Sequence, residues 1–220
     1  MKNNSKMNLK NVVFLLVMLK MCVVFGQNFD ARKRVVIDVG HGGKDSGAIG
    51  INGIQEKVVV LNIAKAMIRL NKAVLDDRLD IYLTRYCDTF VALSDRSRLA
   101  KVLKADVFVS LHCNASKTVA RGVEVFGYAV EHRNTKASNS LGVCVLNEIN
   151  QKLGLKKRGM KFANFQVPRE TAFLCPSILI ETGFVTDSHE AYYFLKSKNI
   201  EAMALAILMG LYHYFLNTEL

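Results

Sequence analysis

The chain has few of the residues that usually interrupt a fold. Its 220 residues contain only two prolines, Pro168 and Pro176, and the sequence shows no internal repeat, low-complexity segment or long linker. Nothing in the interior therefore marks a boundary between domains. A chain of this length without such a boundary favours one compact domain.

Several familiar catalytic motifs are also absent, and each absence removes a class of function. A P-loop needs Gly-x-x-x-x-Gly-Lys-Ser/Thr, but relative to Gly43 and Lys44 the first glycine is replaced by Asp38 and the hydroxyl residue by Asp45. Neither His-Glu-x-x-His nor Gly-x-Ser-x-Gly occurs. The sequence therefore argues against nucleotide binding, a thermolysin-like protease and a serine hydrolase.

The five cysteines have no metal-binding or redox spacing. No pair is arranged as Cys-x-x-Cys, which excludes zinc-ribbon and thioredoxin-like sites. An oxidising compartment would permit disulfides, but we expect free, buried thiols at the four positions beyond the N-terminal segment. These are Cys87, Cys113, Cys144 and Cys175.

The first 26 residues have the layout of a secretory signal peptide. Three lysines within the first ten residues precede an apolar run over 12–25 and then the small residue Gly26. The run is short for a membrane span and is interrupted by Lys20. We therefore expect cleavage and export, to the periplasm or to the medium and cell wall, with no stable membrane span afterwards. The alternatives are an uncleaved anchor and, less favoured, a lipid anchor at Cys22.

The rest of the chain is basic. The formal net charge is +11, and the first 26 residues hold four lysines and no acidic residue, which leaves +7 for the remainder. A basic surface suits a polyanionic partner. Export argues against nucleic acid, so an anionic cell-wall polymer or membrane surface fits better, and simple solubility is the alternative reading.

Hydrophobic periodicity predicts a single domain over 33–218, in which strands alternate with helices. The mixed, basic stretch 155–172 is predicted to be a loop. The alternation predicts an α/β domain with a mostly parallel mixed sheet of about five or six strands and helices on both faces. The predicted strands are 34–39, 80–84, 107–111, 122–128 and 177–181, and the predicted helices are 56–74, 94–104, 136–153, 188–196 and 200–215.

Four residues stand at or near predicted strand ends or at the start of a helix. His41 is surrounded by glycines, His112 ends an apolar strand, Glu181 closes a run of aliphatic residues, and Glu56 begins the first helix. Ligand sites in open α/β sheets gather at the carboxyl ends of strands. Two imidazoles and a carboxylate suffice for a catalytic zinc with one open position, and a second carboxylate can transfer protons. For Glu181 the alternative is a salt bridge to a basic residue such as Arg169.

Three segments carry a resemblance to a known family. They read VVIDVGHGGKDSGA, ADVFVSLHCNA and PSILIETGFVTD. With Glu56 at the head of the first helix, the chain from Val35 to about Phe215 resembles the zinc-dependent N-acetylmuramoyl-L-alanine amidases of bacterial cell-wall turnover, the amidase-3 type. The resemblance implies one α/β domain that cleaves the amide between the lactyl group of N-acetylmuramic acid and L-alanine in peptidoglycan. It implies that the zinc ligands are His41, Glu56 and His112, and that Glu181 is catalytic.

Other assignments rest on weaker signals. Asn114 is a candidate for hydrogen bonding to substrate or a ligand, and Arg96 for contact with a stem-peptide carboxylate. The lysines and arginine of 156–161 are a candidate rim for an anionic glycan strand, although a solvated run of charge is favoured. We expect a monomer and leave an activating protein open. The alternative functions are a non-catalytic wall-binding or regulatory module on the same scaffold, and a zinc peptidase that cuts within the stem peptide.

Overall fold

A computed structural model describes residues 32–218, and the chain forms one compact unit from Lys33 onward. The signal peptide expected over 1–26 lies outside the described residues. Six strands and six helices make up the fold of residues 32–218. The strands are β1 Lys33–Val39, β2 Leu79–Leu83, β3 Val107–Asn114, β4 Val123–Tyr128, β5 Lys157–Ala163 and β6 Ser177–Phe184. The helices are α1 Glu56–Leu75, α2 Leu93–Leu103, α3 Thr135–Leu153, α4 Gln166–Thr171, α5 Ser188–Tyr193 and α6 Ser197–Thr218.

The strands form one mixed sheet in the order β2-β1-β3-β6-β4-β5. All neighbouring pairs run parallel except β4 and β6, which are antiparallel. The central strands are rich in β-branched residues that are buried on both faces, as is usual for parallel strands.

Helices cover both faces of the sheet, as the sequence predicted. One face packs on the long helices α1, α3 and α6 through side chains such as Val109 and Ile180. On the other face a smaller cluster joins Val36 and Phe108 to Ala100 of α2 and Val167 of α4. Because side chains alternate along a strand, β3 and β6 contribute to the core on one face and to polar positions on the other.

The prediction of a loop over 155–172 is wrong, because this stretch contains β5 and α4. β5 is an edge strand that pairs with β4 alone, and none of its residues is fully buried. An edge strand rich in charged residues is a common protection against aggregation. It therefore lacks the apolar alternation by which a strand is recognised in a sequence.

The predicted ends of β3 and β6 are also too early. Both strands continue three residues further, to Asn114 and Phe184. His112 and Glu181 therefore lie within the ladder, where Glu181 is paired on both sides and His112 is paired with Glu181.

Helix α6 is the one helix of residues 32–218 that is long and apolar enough to cross a membrane by length and composition. It packs against α1 and α3, and its buried face includes Met203, Ile207 and Leu211. Its hydrophobic character is accounted for by its place in the core.

The close approach of α6 to α3 gives a stability prediction. A Cβ at Gly210 would lie 2.6 Å from the Cα of Val145, which is backbone, whereas a Cβ at Gly142 would meet mainly the flexible side chain of Met160. Alanine normally stabilises a helix by about 1 kcal/mol relative to glycine. We expect Gly210→Ala instead to lower the free energy of unfolding by about 2 kcal/mol, because the helices must separate.

The control is Gly142→Ala, which occupies another helix interior and which we expect to be close to neutral. Urea denaturation of both variants measures the difference. A Gly210→Ala protein as stable as the control would show that the two helices have room to spare.

Candidate active site

Register places three acid–base side chains in one row across the sheet. His112 of β3 is paired with Glu181 of β6, and Glu181 is paired with Glu124 of β4. Residues opposite each other on neighbouring strands point to the same face of the sheet. That face is opposite to the one that carries Leu111 and Ile180 into the core.

A possible metal centre lies at one end of this row. One ligand atom from each of His41, Glu56 and His112 lies within 4.8 Å of the other two. The Oε1 atom of Glu56 accepts hydrogen bonds from Nε2 of His41 at 3.0 Å and from Nδ1 of His112 at 2.9 Å. The donor set of two imidazoles and one carboxylate fits zinc, which is held by such sets in hydrolases that keep one position open.

Neighbouring groups hold these three side chains in place. Nδ1 of His41 donates to Oδ2 of Asp45 at 2.8 Å. Glu56 also accepts the backbone N–H groups of Cys113 at 2.9 Å and of Ala48 at 2.8 Å. Contacts of this kind fix the ring orientation and tautomer of a metal-binding histidine.

The three groups form a charged cluster in the metal-free protein. Burial opposes charge on each of them, but hydrogen bonds between Glu56 and the two histidines outweigh it. The pKa of Glu56 is therefore held well below its usual range, the pKa of His112 is raised, and the pKa of His41 is raised to about 9, with Asp45 contributing. A metal ion would replace these protons as the partner of the carboxylate.

Glu181 has the opposite environment. Burial is the largest influence on it, and together with the negative charges of Glu56 and Glu124 it raises the pKa of Glu181 to about 7 despite the charge of His112. Its Oε2 atom is buried and has no hydrogen-bond partner in the described part of the chain. The salt bridge to Arg169 considered as an alternative does not form, because Arg169 donates to Asn164.

The two histidines of the candidate metal centre and Glu181 line one cleft of about 440 Å³. Its floor is polar, and its walls are apolar side chains from the start of α2 and the segment before it, and from α4 and the β5–α4 connection. The floor includes Asp38, Ser110, His112 and Glu181, and the walls include Phe90, Leu93, Phe165 and Pro168.

Two buried arginines fix the loop that carries His41. Arg96 donates to the carbonyls of Val39 and His41 and forms an ion pair with Asp38 at 2.9 Å. Arg85 donates to the carbonyls of Val39 and Gly40. The sequence suggested a substrate contact for Arg96, but the engagement of its buried guanidinium with the protein favours a positioning role.

Sequence reasoning did not single out Arg85. Its position directly after an apolar strand could have identified it, because a charged group at such a place is buried only if it has partners.

Asn114 is likewise engaged within the protein. Its amide donates to Oε1 of Glu124 at 2.7 Å, and its Oδ1 accepts the N–H of Ala115. This favours support of the Glu124 carboxylate over the direct substrate contact suggested by the sequence.

None of the cysteines in the described part of the chain belongs to the candidate metal centre of His41, Glu56 and His112. Cys113 points to the core face, where its sulfur contacts the hydroxyl of Thr182 at 3.3 Å. The four cysteines of residues 32–218 are free, as expected, but the expected burial is wrong for Cys87, which is exposed, and for Cys144, which is only partly buried.

Comparison with known proteins identifies relatives that match most of the described chain. A family model described as N-acetylmuramoyl-L-alanine amidase matches residues 35–213. The sequence is 39% identical to an endolysin of Bacillus phage SPP1 over 78% of this chain and 62% of that protein, so this chain spans less than two thirds of that relative. It is 34% identical to the sporulation-specific N-acetylmuramoyl-L-alanine amidase of Bacillus subtilis over 83% of this chain and 68% of the relative.

Solved structures agree with these relatives. The N-acetylmuramoyl-L-alanine amidase AmiC2 of Nostoc punctiforme superimposes with a TM-score of 0.76 at 35% identity, covering 84% of this chain and 98% of that one. An N-acetylmuramoyl-L-alanine amidase from Clostridium difficile 630 gives 0.75 at 34% identity, covering 83% and 96%.

The close contact of Gly47 with two metal-site residues gives a prediction about metal affinity. A Cβ at Gly47, whose φ is 63°, would lie 2.5 Å from Oε2 of Glu56 and 2.6 Å from Cδ2 of His41. We expect Gly47→Ala to weaken zinc binding at least tenfold, because both side chains must move. Competition with a chromogenic chelator measures the affinity.

The control is Gly53→Ala, at a glycine whose φ is 79° but which has open space around it. It carries a similar backbone strain without the clash, so its zinc affinity should stay at the wild-type value. Equal affinities for the two variants would contradict the tight packing around the ligands.

The buried carboxylate of Glu181 gives a pH prediction for the metal-free protein. Its pKa is 4.5 in the reference state and about 7 in the fold, so the folded protein binds more protons between these values and loses stability as pH rises through them. Gln cannot ionise and escapes this loss. We expect metal-free Glu181→Gln to exceed wild type at pH 8 by up to about 3 kcal/mol in free energy of unfolding, with the advantage declining towards pH 4.

Urea denaturation in the presence of a chelator tests this, with Glu131→Gln at an exposed position as the control. A stability difference that does not vary with pH would contradict the burial of Glu181.

Proposed function

The chain belongs to the N-acetylmuramoyl-L-alanine amidase family of peptidoglycan hydrolases, and we propose that it hydrolyses the amide between the lactyl group of N-acetylmuramic acid and L-alanine with one zinc ion. The observation that carries this proposal is the position of Glu181. Its buried, unpartnered oxygen lies in the strand next to His112, one of the three candidate metal ligands.

The proposed ligands of zinc are His41, Glu56 and His112. Zinc bound in such a set acts as a Lewis acid on a carbonyl oxygen and makes water more acidic. His41 and Glu56 are oriented for this role by Asp45 and by backbone N–H groups. His112 is positioned by its pairing with Glu181 of β6 and by the hydrogen bond between its Nδ1 and Glu56.

The proposed proton carrier is Glu181. Its raised pKa suits a group that accepts a proton near neutral pH and then releases it. Glu181 takes the proton from the water that attacks the scissile carbonyl and delivers it to the departing nitrogen of L-alanine. The apolar cleft walls, among them Phe90 and Phe165, reduce the access of bulk water to this exchange.

We further propose that the protein acts outside the cytoplasm as a monomer. The signal-like layout of residues 1–26 and a basic remainder support export to an anionic wall. All four groups that the mechanism needs come from one chain, so the chemistry requires no second copy.

Analysis of digested peptidoglycan separates this function from its rivals. An amidase releases intact stem peptides with a free L-alanine amine and leaves sugars with a free lactyl carboxylate, whereas a stem-peptide peptidase cuts within the peptide. We expect mass spectrometry to show the first pattern, to show its loss on treatment with a chelator, and to show its return with zinc. Fragments cut within the stem peptide, or binding without cleavage, would refute the proposal.

The role of Glu181 predicts a separation of metal binding from turnover. Glu181→Gln keeps the shape of the side chain and leaves the three proposed ligands intact, so we expect one zinc per chain but a rate lower by roughly 10²–10⁴-fold. Activity on soluble muropeptides and metal content measured on the same sample test this.

The matched control is Glu148→Gln, whose carboxylate pairs with His213 between α3 and α6, away from the cleft. It should retain wild-type turnover. Full activity in Glu181→Gln would remove Glu181 from the mechanism.

A further inference from the structure

Beyond Glu181 the polar face of the sheet continues into a charged cluster that the mechanism does not use. Its centre is Glu124, which is only 4% exposed. Its Oε1 accepts from Asn114, and its Oε2 accepts from Nε of Arg158 at 2.7 Å and from Nζ of Lys161 at 2.5 Å. Two positive charges therefore meet one carboxylate, and the cluster has a positive excess beside Glu181.

A shift of register brings both cations to the same carboxylate. Val123 pairs with Lys157, whereas the next residue, Glu124, pairs with Gly159. The additional residue in β5 is Arg158, and a bulge of this kind re-aims the side chains that follow it. Because of this bulge, the side chains of Arg158 and Lys161 can both point to Glu124.

The two cations differ in freedom. Arg158 lies over the ring of Phe184 at 4.9 Å and also donates to a backbone carbonyl, and its side chain is 27% exposed. The Lys161 side chain is 41% exposed and lies 5.7 Å from the ring centre of Phe126. Lys161 is therefore the member of the pair that is available to a ligand.

Two aromatic rings, Phe126 and Phe165, connect Lys161 to the cleft. The ring beside Lys161, Phe126, packs edge-on against Phe165 at 5.3 Å, and Phe165 forms a wall of the cavity that contains Glu181. Glu124 and Glu181 face each other on antiparallel strands, where the Cβ atoms of opposed residues are roughly 5 Å apart. A group that is hydrogen-bonded to Glu124, such as the Lys161 ammonium, thus lies about one strand spacing beyond Glu181.

From this geometry we propose that Lys161 determines specificity by binding a carboxylate on the leaving-group side of the scissile amide, with Glu124 as its positioning residue. The inference rests on the amidase function proposed above. The ligand is the α-carboxylate of the acidic residue that follows L-alanine in the stem peptide. One residue of extended chain spans roughly 3.5 Å, so an amine near Glu181 places that carboxylate within reach of Lys161.

The cluster is suited to a carboxylate and not to its amide. A substrate carboxylate that enters beside Glu124 meets one like charge, and the two cations Arg158 and Lys161 outnumber that charge. Replacement of the carboxylate by a neutral carboxamide removes the charge-assisted hydrogen bond, which is about twice as strong as a neutral one. The enzyme therefore distinguishes stem peptides by the amidation of their second residue.

The test uses two substrates that differ only in this group, N-acetylmuramoyl-L-alanyl-D-isoglutamate and its isoglutamine counterpart. We expect wild type to have a kcat/KM about tenfold higher for the carboxylate form, mainly through KM, because the contact persists from ground state to transition state. Lys161→Met should reduce this ratio to about one, and Lys161→Arg should keep most of it.

The matched control is Lys157→Met. This lysine lies on the same strand but donates to Asn147 of α3, so the variant should keep the tenfold preference. A wild-type ratio near one, or a ratio in Lys161→Met equal to that of wild type, overturns the inference and leaves the amidase function intact. A wild-type protein that cleaves neither substrate overturns the proposed function, and the inference with it.

Discussion

The site depends on the alignment of β6 with its two neighbours. A shift of one residue in either pairing would turn His112, Glu181 or Glu124 to the opposite face of the sheet, since side chains alternate along a strand. The large apolar cluster on that opposite face prevents the shift, because Leu111 and Ile180 would then point away from it. The packing of the core thus determines the positions of the polar groups, although the two sets of side chains never meet.

Within this alignment, similar carboxylates acquire different properties from their surroundings. Glu56 accepts four hydrogen bonds and remains ionised in spite of its burial. Glu124 is buried, which would raise its pKa, but hydrogen bonds from the cations Lys161 and Arg158 lower the pKa below its usual value. The amide of Asn114 donates a further hydrogen bond. The Oε2 atom of Glu181 has no hydrogen-bond partner among the described residues, and burial raises the pKa of this carboxyl to about 7. The proposed roles of metal ligand, positioning group and proton carrier differ because each carboxylate contacts different groups.

The sequence predicted those parts of the molecule that leave a local pattern. Buried strands of branched residues and amphipathic helices indicated the fold class, and His41, His112 and Glu181 near strand ends indicated the candidate site. β5 was missed because an edge strand buries too little to show alternation. The partners of Arg96 and Asn114 could not be predicted, because Asp38 and Glu124 approach them only through tertiary packing.

The hydrogen bonds from Arg85 and Arg96 to the His41 loop have a consequence for the stability of the protein without a bound metal. Small zinc domains collapse when the metal leaves, since ligation supplies their folding energy. Here guanidinium groups tie down the backbone around His41, and a large hydrophobic core surrounds the sheet. If the protein binds zinc as proposed, loss of the ion would leave the fold intact, and rebinding would restore the site without refolding.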